Sequence, residues 1–363
     1  MQKPLILVTG AAGQTGSATT RQLLAAGYPV RALVRRRDAR SAALEALGAQ
    51  IAIADMGDPE AMAAALKGVR RAYFLPGYDP ALLHQAAVFA TAARDEGLEQ
   101  IVQMTQWLAS PMHPALMTRQ HWLADRLMTM VPGAAHTLIE PGFFADLPYL
   151  ATLPYAARLG MWPWPFGDSR NAPPSVEDIS AVVVAALQDP ARHDAKRYRP
   201  TGPELLDGPQ MAAILSRVLD RRVRLAHLPF PLFLRAARLD GLPLPMLAMV
   251  RHYRDDAIEG AFALRAPTDD VREVTGRAPE TFESVARRHA AGISRGLGPT
   301  LRQFAKFMLV PMVPPPPVAS YLKGLRMPAP AAPASPVNSP IWRSEHRVDG
   351  PATSETAPLK AVG

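Results

Sequence analysis

The chain has 363 residues, 48% of them apolar, enough for two domains or for one enlarged domain with a tail, and too many for a wholly disordered chain. It contains no cysteine, which excludes disulfides and thiolate metal sites, leaves no metal centre expected, and makes the cytoplasm the expected location. Forty Lys and Arg against 32 Asp and Glu give a net charge of +8, but the basic residues are scattered and no basic reading element is evident, so direct nucleic-acid binding is not expected.

In chain order, residues 5–8 read as a strand and 16–26 as a helix. Strands follow at 30–34, 50–54, 71–75, 101–104 and 137–140, with helices at 41–47, 58–67, 80–96 and 116–130 between them. Asp58-Pro59 opens one of these helices as a cap followed by proline at the first helical position. This alternation predicts parallel βαβ units with right-handed crossovers: an α/β, Rossmann-like doubly wound sheet with its ligand at the carboxyl ends of the strands. The expected domains are a dinucleotide-binding unit over 1–140 and a small, mostly helical substrate lobe over 141–298 with segments returning to the first. A Pro-rich flexible tail is expected over 299–363, which holds 13 of the 38 prolines. Neither a signal-like core nor an apolar run of membrane-spanning length occurs. Leu301, Phe304 and Met308 share a helical face, so 300–312 reads as a short packed helix or a weak peripheral membrane contact.

The motif that carries chemistry lies between the first strand and helix, Thr9-Gly10-Ala11-Ala12-Gly13-Gln14-Thr15-Gly16. Gly10 allows the turn off the strand, Gly13 lets backbone approach a pyrophosphate, and Gly16 allows helix and strand to pack closely. The helix start at Gln14 and Thr15 presents its N–H groups to the phosphates. Arg35 lies 19 residues after Gly16, where an acid would grip the ribose of NAD(H). An arginine there suits a 2′-phosphate, which favours NADP(H) over NAD(H), although Asp38 is close by.

Five stretches together resemble the NmrA-like group, atypical members of the short-chain dehydrogenase/reductase superfamily, over about residues 3–290. They are GAAGQTG, VRALVRR, ADMGDPEAMAAALKGV, IEPGFF, and SVEDISAVVVAAL followed by YRPTGPELL. The resemblance implies that Asp55 and Met56 contact the adenine, that Leu75, Pro76 and Gly77 run beside the cofactor ribose, and that Pro141, Gly142 and Phe143 close over the nicotinamide. It also implies either an NADPH-dependent reductase of a small acceptor such as a quinone, or a non-catalytic redox sensor acting through a regulatory protein partner.

Reductases of the parent superfamily resemble one another in a Tyr-x-x-x-Lys pair and a nearby Ser or Thr. Here Met117 stands in the tyrosine place and His121 in the lysine place, with Thr105 as the hydroxyl and Gln106 beside it. His121 and Thr105 are therefore the candidate catalytic residues, with protons drawn from solvent or from His121. His113 reads as a loop residue. Phe143, Phe144, Trp107, Trp162 and Trp164 line a pocket for a flat acceptor or form the core of the second lobe. Sequence leaves the oligomeric state open.

Overall fold

The computed structural model describes residues 3–327 and 329–348. The main strands are β1 (Ile6–Val8), β2 (Val30–Val34), β3 (Gln50–Ile53), β4 (Arg71–Phe74), β5 (Gln100–Met104) and β6 (Ala135–Ile139). In the second lobe β7 (Met161–Trp164) and β8 (Arg170–Asn171) precede β9 (Lys196–Tyr198), and β10 (Leu206–Asp207) and β11 (Arg224–His227) follow. The helices of the first half are α1 (Gln14–Ala25), α2 (Ala39–Ala46), α3 (Pro59–Leu66), α4 (Leu82–Asp95) and α5 (Leu116–Thr129), then α6 (Leu153–Leu159) and α7 (Val176–Gln188).

Seven strands pair in parallel in the order β3-β2-β1-β4-β5-β6-β9. The order reverses between β1 and β4, where Ile6 is in register with both Val30 and Arg71, so the crevice for a ligand opens above that pair. Ile6, Leu7 and Val8 are all fully buried, because a parallel sheet is covered by helices on both faces and its strands read as continuous apolar runs. One of the covering helices, α7, comes from beyond residue 141 and packs on α1; the β9 strand likewise returns to complete the sheet edge beside β6.

The second lobe is an aromatic core. Phe143, Tyr149, Trp162, Trp164, Phe166 and Phe262 are all buried, and Tyr149 stacks on Trp164 with ring centroids 5.8 Å apart. The β7 strand pairs with β11 in parallel and β8 with β10 antiparallel. Trp107, Trp162, Trp164 and Phe143 therefore serve as core, with Phe144 half-buried against the neighbouring cluster.

Between 299 and 348 the chain departs from the flexible tail that its prolines imply. Helices span Leu297–Leu309, Val318–Gly324 and Pro340–Glu345. The segment is held by side chains rather than by composition. Trp342 is fully buried, its ring meets Trp107 edge-on at 4.9 Å, and its Nε1 donates to the Trp107 carbonyl at 2.7 Å. Glu345 accepts from Trp122 Nε1 at 3.3 Å and pairs with Arg126. Residues 349–363 lie outside the described residues. Leu301, Phe304 and Met308 point to solvent, and among the described residues no helix is long and apolar enough to cross a membrane.

Candidate functional site

The glycine loop leaves β1 with Gly10 in the left-handed region at φ +57°, a conformation that glycine takes without strain. A Cβ on Gly16 would lie 2.3 Å from the Gly10 carbonyl oxygen, so α1 starts against the loop backbone and only glycine fits. Gly13 caps α1 with extended backbone and no side-chain partner, and no acidic residue stands in the first turn. The N–H groups at Gln14, Thr15 and Gly16 and the positive end of the helix dipole thus face the crevice without an acceptor among the described residues. Thr9 fixes the far wall: its hydroxyl oxygen accepts from the Leu75 backbone N–H at 2.7 Å. Thr15 is tied to β4 through the Tyr73 hydroxyl, which donates to its Oγ1 at 3.4 Å.

At the tip of β2, Arg35 is exposed and makes no hydrogen bond or ion pair with any described residue. Asp38, the competing acid, is committed elsewhere. Its carboxylate caps α2, accepting from the Arg40 and Ser41 N–H groups, and pairs with the Arg40 guanidinium at 2.6 Å. The Arg40 side chain holds its carboxyl down at about 2. The pattern leaves a cation and no free acid beside the loop, which suits a phosphate rather than a pair of ribose hydroxyls. Asp55 turns the chain after β3 by accepting from the Gly57 N–H at 2.8 Å, with Met56 half-buried beside it. Leu75, Pro76 and Gly77 follow β4, and the Leu75 side chain lies under Gly10.

The opposite end of the crevice lies above β5 and α5. Thr105 is buried, and its hydroxyl donates to Asp125 Oδ2 at 2.9 Å. Gln103 Nε2 donates to the other carboxylate oxygen at 2.9 Å. Burial, reinforced by the Glu140 carboxylate, pushes the Asp125 acid up to about 8. Glu140 itself is held below the usual range, where His346 and its ion-pair partner Arg197 outweigh burial. One carboxyl of the pair is thus neutral and the other ionised. The raised acid binds a proton in the folded chain that the unfolded chain releases near pH 4, so its stabilisation is present below that pH and is lost as pH rises through about 8. Asp125→Asn, which imitates the neutral acid, is expected to lose about 3–4 kcal/mol less stability than the parent between pH 5 and pH 8 in denaturant unfolding. Parallel curves for the two proteins would contradict a neutral Asp125.

His121 and Thr118 also lie on α5, and Gln106 follows β5. Both His121 ring nitrogens and Gln106 Oε1 are buried without a hydrogen-bond partner among the described residues, and the buried Thr118 hydroxyl lies against the Tyr253 phenol. Leaving such atoms unpaired costs about 1–3 kcal/mol each, which marks the place as one built for a polar ligand. Burial lowers the His121 imidazole to about 3, so it is neutral at physiological pH and offers one N–H and one lone pair. Tyr78, on the loop after Gly77, stays 41% exposed with its ring 6.2 Å from that of His121. Sequence reading passed over Tyr78 and Asp125, since neither stands in a motif; only the α5 spacing of Asp125, four residues after His121, places it on the same helical face.

Pro141 and Phe143 are buried and Gly142 is half-buried at the end of β6. Phe143 faces the aromatic core, 4.7 Å from Phe262 between centroids, and its carbonyl accepts from Asn171 Nδ2 at 2.9 Å. A Cβ on Gly142 would come within 2.9 Å of the Phe262 ring. His113 lies in the loop before α5 but is fully buried, and its Nε2 meets Asp256 Oδ2 at 2.9 Å.

Comparison with known proteins gives the family and the fold. The sequence profile of the NmrA-like family matches residues 2–111. The NAD(P)H azoreductase of Xenophilus azovorans is 33% identical over 297 residues, covering 79% of this chain and 98% of that protein. Quinone oxidoreductase 2 of Escherichia coli is 27% identical over 244 residues, 66% of this chain and 83% of that protein. Among solved structures, NmrA, a negative transcriptional regulator in complex with NAD, superposes with a TM-score of 0.66 at 19% identity, over 81% of this chain and 99% of that one, a likeness of fold.

Proposed function

This chain belongs to the NmrA-like family, and from that premise we propose that it is an NADPH-dependent reductase of a small aromatic acceptor of the quinone or azo class. The observation that carries the reading is the set of buried polar atoms on Gln106 and His121, unpartnered among the described residues, at the far end of a crevice whose near end is a glycine loop with an arginine that pairs with no described residue. Gly10, Gly13 and Gly16 with the start of α1 would hold the pyrophosphate, and Arg35 the 2′-phosphate. When bound, the dihydronicotinamide supplies a hydride.

The chain's own residues then divide the remaining work. His121, neutral in its buried setting, hydrogen-bonds a hydroxyl or carboxamide rather than acting as a charged acid. Thr105 orients Asp125 and α5. Quinones and azo groups take their protons from solvent or from a neutral donor, so the loss of the Tyr-x-x-x-Lys pair at Met117 and His121 is compatible with turnover. That same loss favours a second reading, a redox sensor that binds cofactor and reports it to a protein partner.

Steady-state NADPH oxidation with a panel of quinones and azo dyes separates the two. The reductase reading expects turnover with at least one acceptor, above the uncatalysed rate and saturable in both substrates. Micromolar NADPH binding with no turnover across the panel would overturn it in favour of the sensor.

A further inference from the structure

A cavity of about 200 Å³ lies between the start of α5, the helix Leu244–Ile258 and the C-terminal segment. Met117, Ala248 and Met249 form its floor and Tyr321, Leu322 and Leu325 its roof. The floor abuts the crevice, because Met249 Sδ accepts from Gln106 Nε2 at 3.7 Å. The roof comes from beyond residue 290, outside the stretch that resembles the family. It is pinned by the Ala334 N–H donating to the Met112 carbonyl at 3.0 Å and by Ser335 donating to Asp256 at 3.1 Å. That carboxylate also meets His113, which precedes α5, so one acid ties floor and roof together.

Two features give the cavity a chemistry. Its lining is predominantly apolar, and its size compares with an engineered cavity of about 150 Å³ that takes a benzene ring. Its roof also carries a buried phenolic hydroxyl, that of Tyr321, with no hydrogen-bond partner among the described residues. Met117, in the place where related reductases carry their tyrosine, lines the same cavity. Burial and the Asp79 carboxylate hold the Tyr321 phenol above its ordinary range, so it is protonated and can donate at neutral pH.

We propose that this cavity seats a one-ring quinone and that Tyr321, delivered by the C-terminal extension, donates to its carbonyl oxygen in place of the tyrosine missing at position 117. The proposal rests on the reductase reading for naming the ring an electron acceptor. The balance is quinone plus NADPH plus one proton giving hydroquinone plus NADP+. One hydrogen arrives as hydride from the dihydronicotinamide, and the second as a proton passed from solvent through the Tyr321 hydroxyl, which ends unchanged.

The test uses the full chain and 2,6-dimethyl-1,4-benzoquinone, which meets no protein thiol because the chain has no cysteine. Binding of the quinone is measured on the NADP+ complex, where no reduction can occur, and turnover is measured with NADPH. Tyr321→Phe is expected to weaken quinone binding about 5-fold and to lower kcat about 10-fold or more, with NADPH affinity unchanged. Leu325→Ala is expected to shift preference about 10-fold toward two-ring naphthoquinones, and Leu325→Trp to abolish binding of both. Quinone binding that responds to these variants without NADPH oxidation would keep the cavity and end the reductase reading. Turnover that stays within twofold of the parent in all three variants, or that falls in Tyr78→Phe but not in Tyr321→Phe, would overturn the proposal while leaving the reductase reading in place.

Discussion

Gly16→Ala is expected to abolish measurable dinucleotide binding and to destabilise the chain by about 3 kcal/mol. The added methyl would sit 2.3 Å from the Gly10 carbonyl oxygen, 2.8 Å from its carbon and 2.9 Å from the Ala11 Cα. All three are backbone atoms, so no rotamer change relieves the clash. Either α1 moves off β1 or the Gly10–Gly13 turn opens. Both displace the N–H groups that would face the pyrophosphate, and a donor moved by an ångström loses most of its bond. Gly13→Ala is the graded companion, since its Cβ would stand 3.1 Å from the same oxygen, a contact that a shift of a few tenths of an ångström relieves. Urea unfolding and NADPH titration of both variants check the ranking. A Gly16→Ala protein with parental stability and affinity would show that α1 does not pack as described.

Trp342→Ala is expected to cost about 3–5 kcal/mol, the range for emptying a buried indole. The side chain is fully buried, stacks on His346 at 4.4 Å between centroids, meets Trp107 edge-on and satisfies the Trp107 carbonyl. Its removal leaves that carbonyl unpaired and takes away the plug that keeps residues 299–348 on the body. Loss of the roof over the cavity should follow, so limited proteolysis should cut near Val318–Gly324 in the variant before the parent. A cost below about 1 kcal/mol would mean that the segment does not depend on this anchor.

These two residues mark what could and could not be read from the sequence. Gly16 was legible because the strand before it and the helix after it are local patterns, and because parallel strands buried on both faces read as unbroken apolar runs. Arg35 was legible by its spacing from the loop. Trp342 was not, because proline content describes what a segment cannot do alone and says nothing of a cleft waiting elsewhere for an indole. Asp125, Tyr78 and Tyr321 escaped for a related reason: their settings arise from residues 20 to 240 positions away, such as Thr105 for Asp125 and Met117 for Tyr321. The imidazole of His121 was found by spacing, but its neutrality follows from burial that no local pattern encodes.

The most direct measurement is calorimetric titration of the purified chain with NADPH and with NADH, in parallel with Arg35→Ala. The account predicts micromolar NADPH binding at least 10-fold tighter than NADH, with Arg35→Ala losing about 1.4 kcal/mol or more of NADPH affinity and little of NADH affinity. Absence of binding by either dinucleotide, or equal binding of both that Arg35→Ala leaves unchanged, would contradict it.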